Sequence, residues 1–172
     1  MDIDDLRVIN YQEAIKGSQK SIYSGLVISV FTYFFWAGEL GGSGTIPFLN
    51  IELNKENSTI YILSALYFYC GLLCSFSVHR ATQIHERIEN TELSATTLYF
   101  PCFINSNSFY KTMLAGILFG VWYMVYFYSG IFDQIWKSIA VGALVSSPYF
   151  YSLKLFVSPQ RLTNNLRGIP NA

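Results

Sequence analysis

Both histidines and all three cysteines of the chain fall between residues 70 and 102, in company with Glu86, Glu89 and Glu92. Such side chains hold metals, relay protons or attack electrophiles, and their spacing decides which. A zinc-protease helix carries two histidines at i and i+4 with a glutamate between them. In "HRATQIHE", His79 and His85 are six residues apart and Glu86 follows the second, so that geometry is missing. Membrane di-iron enzymes need several histidine clusters, which this chain does not have. Cys70 and Cys74 stand at i, i+4 and would make half of a thiolate site. No further cysteine or histidine has a completing spacing, and Cys102 lies in another segment, so the pair reads as packing. "GGSG" at 41–44 lacks the strand, helix and lysine of a phosphate-cradling loop. The expectation is a non-enzymatic chain without metal or cofactor.

The elements that would position these groups are apolar. Hydrophobic residues make up 52% of the chain and charged residues 13%, about half the charged fraction of roughly a quarter usual in globular domains. A soluble fold of this balance would expose large apolar patches. Four stretches, about 22–40, 59–78, 112–131 and 135–157, carry no charge except Glu39, Lys137 and Lys154 near their ends. Each has the length of about 17–25 residues that a spanning helix needs. The predicted fold class is an all-α polytopic membrane protein with four transmembrane helices and a cytoplasmic helical extension of the second. Residues 1–21 form a cytoplasmic N-terminal segment, 79–111 a cytoplasmic stalk and interfacial segment, and 158–172 a cytoplasmic tail. After Pro47, "IPFLNIEL" alternates as an extended segment would.

Basic residues orient the spans. Nine of the eleven (Arg7, Lys16, Lys20, Arg80, Arg87, Lys111, Lys154, Arg161 and Arg167) fall on one side, and only Lys55 and Lys137 on the other. Both termini and the middle connection are therefore expected in the cytoplasm of a multi-pass inner-membrane protein. No Asp, Glu, His, Lys or Arg lies at mid-depth, where proton-coupled transporters and charged filters keep theirs. Small residues recur instead. Gly116 and Gly120 form GxxxG in the third span, and Gly142 and Ser146 are four apart in the fourth. Such pairs let helices approach closely within the bundle or between subunits. Pro148 is expected to kink the fourth span, and Asn107 or Ser108 to cap the third.

The polar stretch 78–95 contains no glycine or proline, so the second span is expected to run on as a helix. Ala81, Ile84, Ile88, Thr91 and Ala95 follow coiled-coil spacing and form a narrow seam for docking a partner, a sister subunit or residues 3–15. His85 and Glu89 are spaced for an i, i+4 pair. The expected partners are the bilayer, a second copy of the chain and a cytoplasmic protein, with no direct nucleic-acid binding. The functional expectation is a membrane subunit that self-associates and recruits or regulates a cytoplasmic partner. The alternative is an oligomeric pore with an apolar, hydroxyl-lined pathway.

In size, span count and aromatic richness, though through no motif, the chain resembles the small four-span membrane subunits of bacterial phage-defence operons, such as that of the Kiwa system. The resemblance implies an inner-membrane sensor in antiviral defence, assembled as an oligomer with a DNA-acting partner.

The nine-to-two bias generates a first prediction. Reporter fusions at residue 172 and within 92–107 are expected to read cytoplasmic, and one within 41–58 external. An external C-terminus would overturn the orientation.

Overall fold

No proline interrupts residues 3–37, and Asp4 and Asp5 stand in the first turn, where carboxylates favour a helix N-terminus. In the computed structural model this stretch is one helix, α1 (Ile3–Ala37). The structure describes residues 3–37, 43–46, 51–54, 57–98, 100–103 and 106–155. After α1 come β1 (Ser43–Ile46), β2 (Ile51–Asn54), α2 (Asn57–His85), α3 (Thr91–Leu98), α4 (Ser108–Tyr128) and α5 (Ile135–Leu155). The two strands pair antiparallel, from Ser43 opposite Asn54 to Ile46 opposite Ile51. Of the segment expected to be extended after Pro47, residues 51–53 lie in β2 and 47–50 lie outside the described residues. Predicted residues 158–172 lie outside the described residues.

The molecule is helical, with α1, α2, α4 and α5 packed side by side and α3 resting on α1. By length and composition, α2 and α4 are long and apolar enough to cross a bilayer. The other two predicted spans are helical as well, but α1 carries charges along its first half and α5 is diluted by four serines and Pro148. The N-terminal segment is not separate from the first span: α1 is 35 residues long, about 50 Å, and continuous through residue 22.

The expected break-free stalk is corrected. Helix α2 stops at His85, residues 86–90 turn, and α3 begins anew at Thr91. The cause is Asn90, whose Oδ1 accepts from the backbone N–H groups of Glu92 (3.0 Å) and Leu93 (3.3 Å). Asparagine bonds more readily to the backbone at a helix start than inside a helix. Asn107 caps α4 in the same way, accepting from the Tyr110 N–H at 3.1 Å.

The interior of the bundle is built on aromatic rings and hydroxyls. Tyr67 of α2 packs between Trp122 of α4 (ring centroids 5.0 Å) and Tyr149 of α5 (4.8 Å). The Tyr149 hydroxyl donates to the Tyr67 carbonyl at 3.1 Å. Trp122 Nε1 donates to Ser29 at 3.0 Å, which ties α4 to α1, and Ser64 bonds Tyr126 at 2.6 Å. Ser75 and Ser152 both donate to the Pro148 carbonyl at 2.7 Å, at the proline that interrupts the α5 ladder. The outside is apolar: Val27 (68% exposed), Phe76 (69%) and Leu144 (67%) all face outward.

Tyr149 fits because two glycines make room. A Cβ at Gly25 would collide with its hydroxyl, and one at Gly71 would stand 2.8 Å from its ring and 3.1 Å from Pro148 Cβ. Gly71→Leu is therefore expected to destabilise the detergent-solubilised protein by about 1–3 kcal/mol or more. Gly116→Ala, where an added Cβ meets nothing within 4 Å, is expected to melt no lower than the parent. Equal melting of the two variants would refute this packing.

Candidate functional site

Beyond Val78, the last residue of the second apolar stretch, three elements converge on a small polar knot. Helix α1 brings Asp4, Arg7 and Tyr11, the end of α2 brings His85, and the turn into α3 brings Asn90 and Thr97. Asp4 accepts from Arg7 Nη1 through one oxygen (2.8 Å) and from the Asn90 N–H through the other (2.9 Å). That second bond joins residues 86 apart in sequence. Asn90 therefore receives the start of α1 at its N–H while its side chain starts α3.

Seven residues past Val78, the His85 ring leans on the Tyr11 ring at 6.0 Å between centroids. His85 Nδ1 lies 3.0 Å from the Thr97 hydroxyl, which donates its single proton to the Ser94 carbonyl at 2.7 Å. The proton shared by His85 and Thr97 must then sit on Nδ1. Burial holds the His85 pKa below its ordinary value, against a smaller opposing effect of Glu86. The Asp4 carboxyl is held below its usual value first by the Asn90 N–H and then by Arg7, with partial burial opposing. Both groups thus favour the forms present near neutrality, a neutral imidazole and a carboxylate.

The predicted docking seam is reorganised by the turn. Ala81 and Ile88 are buried and Ile84 packs against the core, while Thr91 is exposed and Ala95 half-buried. Five positions placed on one helical face are split between α2, the turn and α3. The expected His85–Glu89 helical pair is replaced by His85–Thr97, because Glu89 lies beyond the end of α2. His79 bonds Gln83 at 3.0 Å on the exposed surface.

Of the small residues, Gly142 is at a helix contact: a Cβ there would stand 3.2 Å from the backbone nitrogen of Tyr123, which allows α4 and α5 to approach. Ser146 is buried 3.4 Å from the Tyr67 hydroxyl. Gly116 and Gly120 are elsewhere; a Cβ at either meets nothing within 4 Å among the described residues. Cys74 is buried and Cys70 half-buried. Among the described residues, no group of three or more His, Cys, Asp or Glu side chains is arranged to hold a metal ion.

Sequence reasoning missed Asp4, Tyr11, Asn90 and Thr97. "NTEL" at 90–93, a capping residue followed by a glutamate in the first turn, was the available signal for the α3 start. Nothing local marks the Asp4 contact. No family model, curated protein or solved structure matches the chain.

The knot has a pH signature. As pH falls, the unfolded chain protonates histidine first, so stability is full above about 6.5 and declines as pH drops through that range. Asp4 adds a second loss below about 3.8. Melting of the detergent-solubilised chain is expected to fall in these two steps. His85→Gln should remove the upper step and Asp4→Asn flatten the lower one, while Asn90→Ala should cost about 1 kcal/mol at neutral pH. A flat profile in the parent protein would refute the knot.

Proposed function

We propose that the chain is a four-span inner-membrane subunit that self-associates and relays the state of the bilayer-embedded bundle to a cytoplasmic protein. The observation that carries this reading is the knot itself. Asp4, Tyr11, His85 and Asn90 bind the ends of α1 and α2 together beyond the apolar stretches, so a tilt of either helix moves the turn and α3 with it.

Membrane residence is supported by how little of the apolar sequence the chain covers for itself. Only 39% of the most apolar window of α2 and 17% of that of α4 is buried, whereas a core helix of a soluble protein hides most of such a window. Ser29, Ser64, Ser146 and Ser152 are buried within the bundle while Val27, Phe76 and Leu144 face outward, an arrangement that suits a lipid solvent. The α1 and α5 segments complete four spans, each packed on a helix that meets the spanning criterion. Among the described residues nothing lies within 4 Å of a Cβ at Gly116 or Gly120, which suits a contact between copies. The exposed ridge of Arg80, Gln83 and Arg87 is the face a cytoplasmic protein would meet. As in the resemblance to phage-defence membrane subunits, such a protein is a sensor and assembly platform. The pore alternative gains nothing from the bundle axis, which Tyr67, Trp122 and Tyr149 fill, so a pathway would have to run between copies.

Gly116→Leu with Gly120→Leu is expected to abolish the detergent-solubilised oligomer in light scattering, since a Cβ at either position meets no described neighbour and the added side chains project from the bundle surface. Arg80→Glu with Arg87→Glu is expected to keep membrane insertion and melting but lose the copurifying cytoplasmic protein. An unaltered oligomer in the first variant would refute self-association through this face, and unaltered copurification in the second would refute the ridge.

A further inference from the structure

On the cytoplasmic side of the bundle, two open grooves meet at Gln19 and Tyr23 of α1. One, about 610 Å³, runs along α1 from Lys16 and Lys20 past Tyr23 to Val27. The other, about 540 Å³, lies between α1, residues 102, 103 and 106, and α4, walled by Phe103, Tyr110, Met113 and Ile117. Gln19 Nε2 donates to the Pro101 carbonyl at 3.4 Å, and Tyr23 packs edge-on against Phe103 at 5.5 Å. These contacts hold the 100–103 segment in place as a wall.

We propose that this pair of grooves is a binding site for one anionic phospholipid, its phosphate held by Lys16 and Lys20 and an acyl chain lying in each groove. This rests on the membrane reading above and names a ligand for that surface.

Charge and depth select the occupant. Lys16 and Lys20 are exposed, stand at i, i+4 on one face and make no ion pair among the described residues. They sit immediately before the apolar stretch that begins at Ile22, the level at which lipid phosphates lie. Below them the lining, Ser24 apart, is apolar and aromatic for about 10 Å, from Lys20 to Val27 at the helical rise. Glu13 is the one acidic side chain within a turn of the pair on α1, and it lies on the side away from the bilayer. Basic pockets between helices at the cytoplasmic face take anionic headgroups for this reason. A second copy is a poorer fit, because a two-fold contact across this face would set Lys16 and Lys20 against their own counterparts.

The test uses the full chain purified in mild detergent, with phosphatidylglycerol, phosphatidylcholine and inorganic phosphate as separate probes. Binding is read by thermal shift and by native mass spectrometry. Phosphatidylglycerol is expected to raise the melting temperature and remain bound, and the other two are not. Each lysine contributes about fivefold, so Lys16→Gln with Lys20→Gln is expected to weaken phosphatidylglycerol binding by roughly thirtyfold at unchanged ligand-free melting. Met113→Trp, which fills the second groove, should weaken it too, and Lys137→Gln should not. Equal stabilisation by phosphatidylcholine, equal stabilisation by phosphate, or full binding in either the lysine or the Met113 variant would overturn the site. Carbonate extraction separates the two readings. Soluble protein would overturn membrane residence and the site together, whereas integral protein without anionic preference would overturn the site alone.

Discussion

The hydroxyl of Tyr149, donated to the carbonyl of Tyr67, sets the terms on which the four long helices meet. In an apolar surrounding an unpaired phenol or carbonyl is costly, so the bond determines the rotation of α5 on α2. It needs the side-chain-free surfaces of Gly25 and Gly71, which draw α1 and α2 around the same ring. Trp122 then closes the stack from α4 and ties itself to Ser29. Individual hydrogen bonds between membrane helices average only about 0.6 kcal/mol. Their role here is selective: a register shift of any one helix would leave several buried donors unpaired at once.

The same economy explains Pro148. A proline inside a helix has no N–H to offer the carbonyl four residues earlier and weakens the ladder locally. In α5 the Pro148 ring lies beside Gly71, and the Pro148 carbonyl collects Ser75 from α2 and Ser152 from its own helix. The proline turn is thereby held by an interhelical contact, and α2 becomes the central element, bonded to both α4 and α5 within the bundle and to the knot beyond it.

Helix α1 links the two chemistries found at one end of the bundle. One face carries Tyr11 and Ile15 into the knot and core, another carries Lys16 and Lys20 toward the grooves, and the same helix then continues to the far side of the bundle. A lipid at the grooves and a protein on the stalk would act on one rigid rod. Coupling between them requires no separate pathway, only that each ligand favours a different tilt of that rod.

Composition and the charge-free stretches were enough to determine that the chain is helical and apolar, and where α4 and most of α5 run. The Asn107 cap of α4 was also legible, because helix caps are local properties. Helix α2 was legible as far as its apolar run, but its end was not. Asn90 starts α3 locally, but where the turn sits against α1 is set by Asp4, which accepts from the Asn90 N–H across 86 residues of sequence. The fates of Gly116, Gly120 and Gly142 could not be told apart either, since small-residue spacing is the same whether a neighbouring helix lies against it or not. Only Tyr123, pressed on Gly142, and the open space beside the other two distinguish them. Local sequence carries propensity and period; which face meets which, and which of two satisfied backbone conformations is adopted, is decided by atoms that only the folded chain brings within reach.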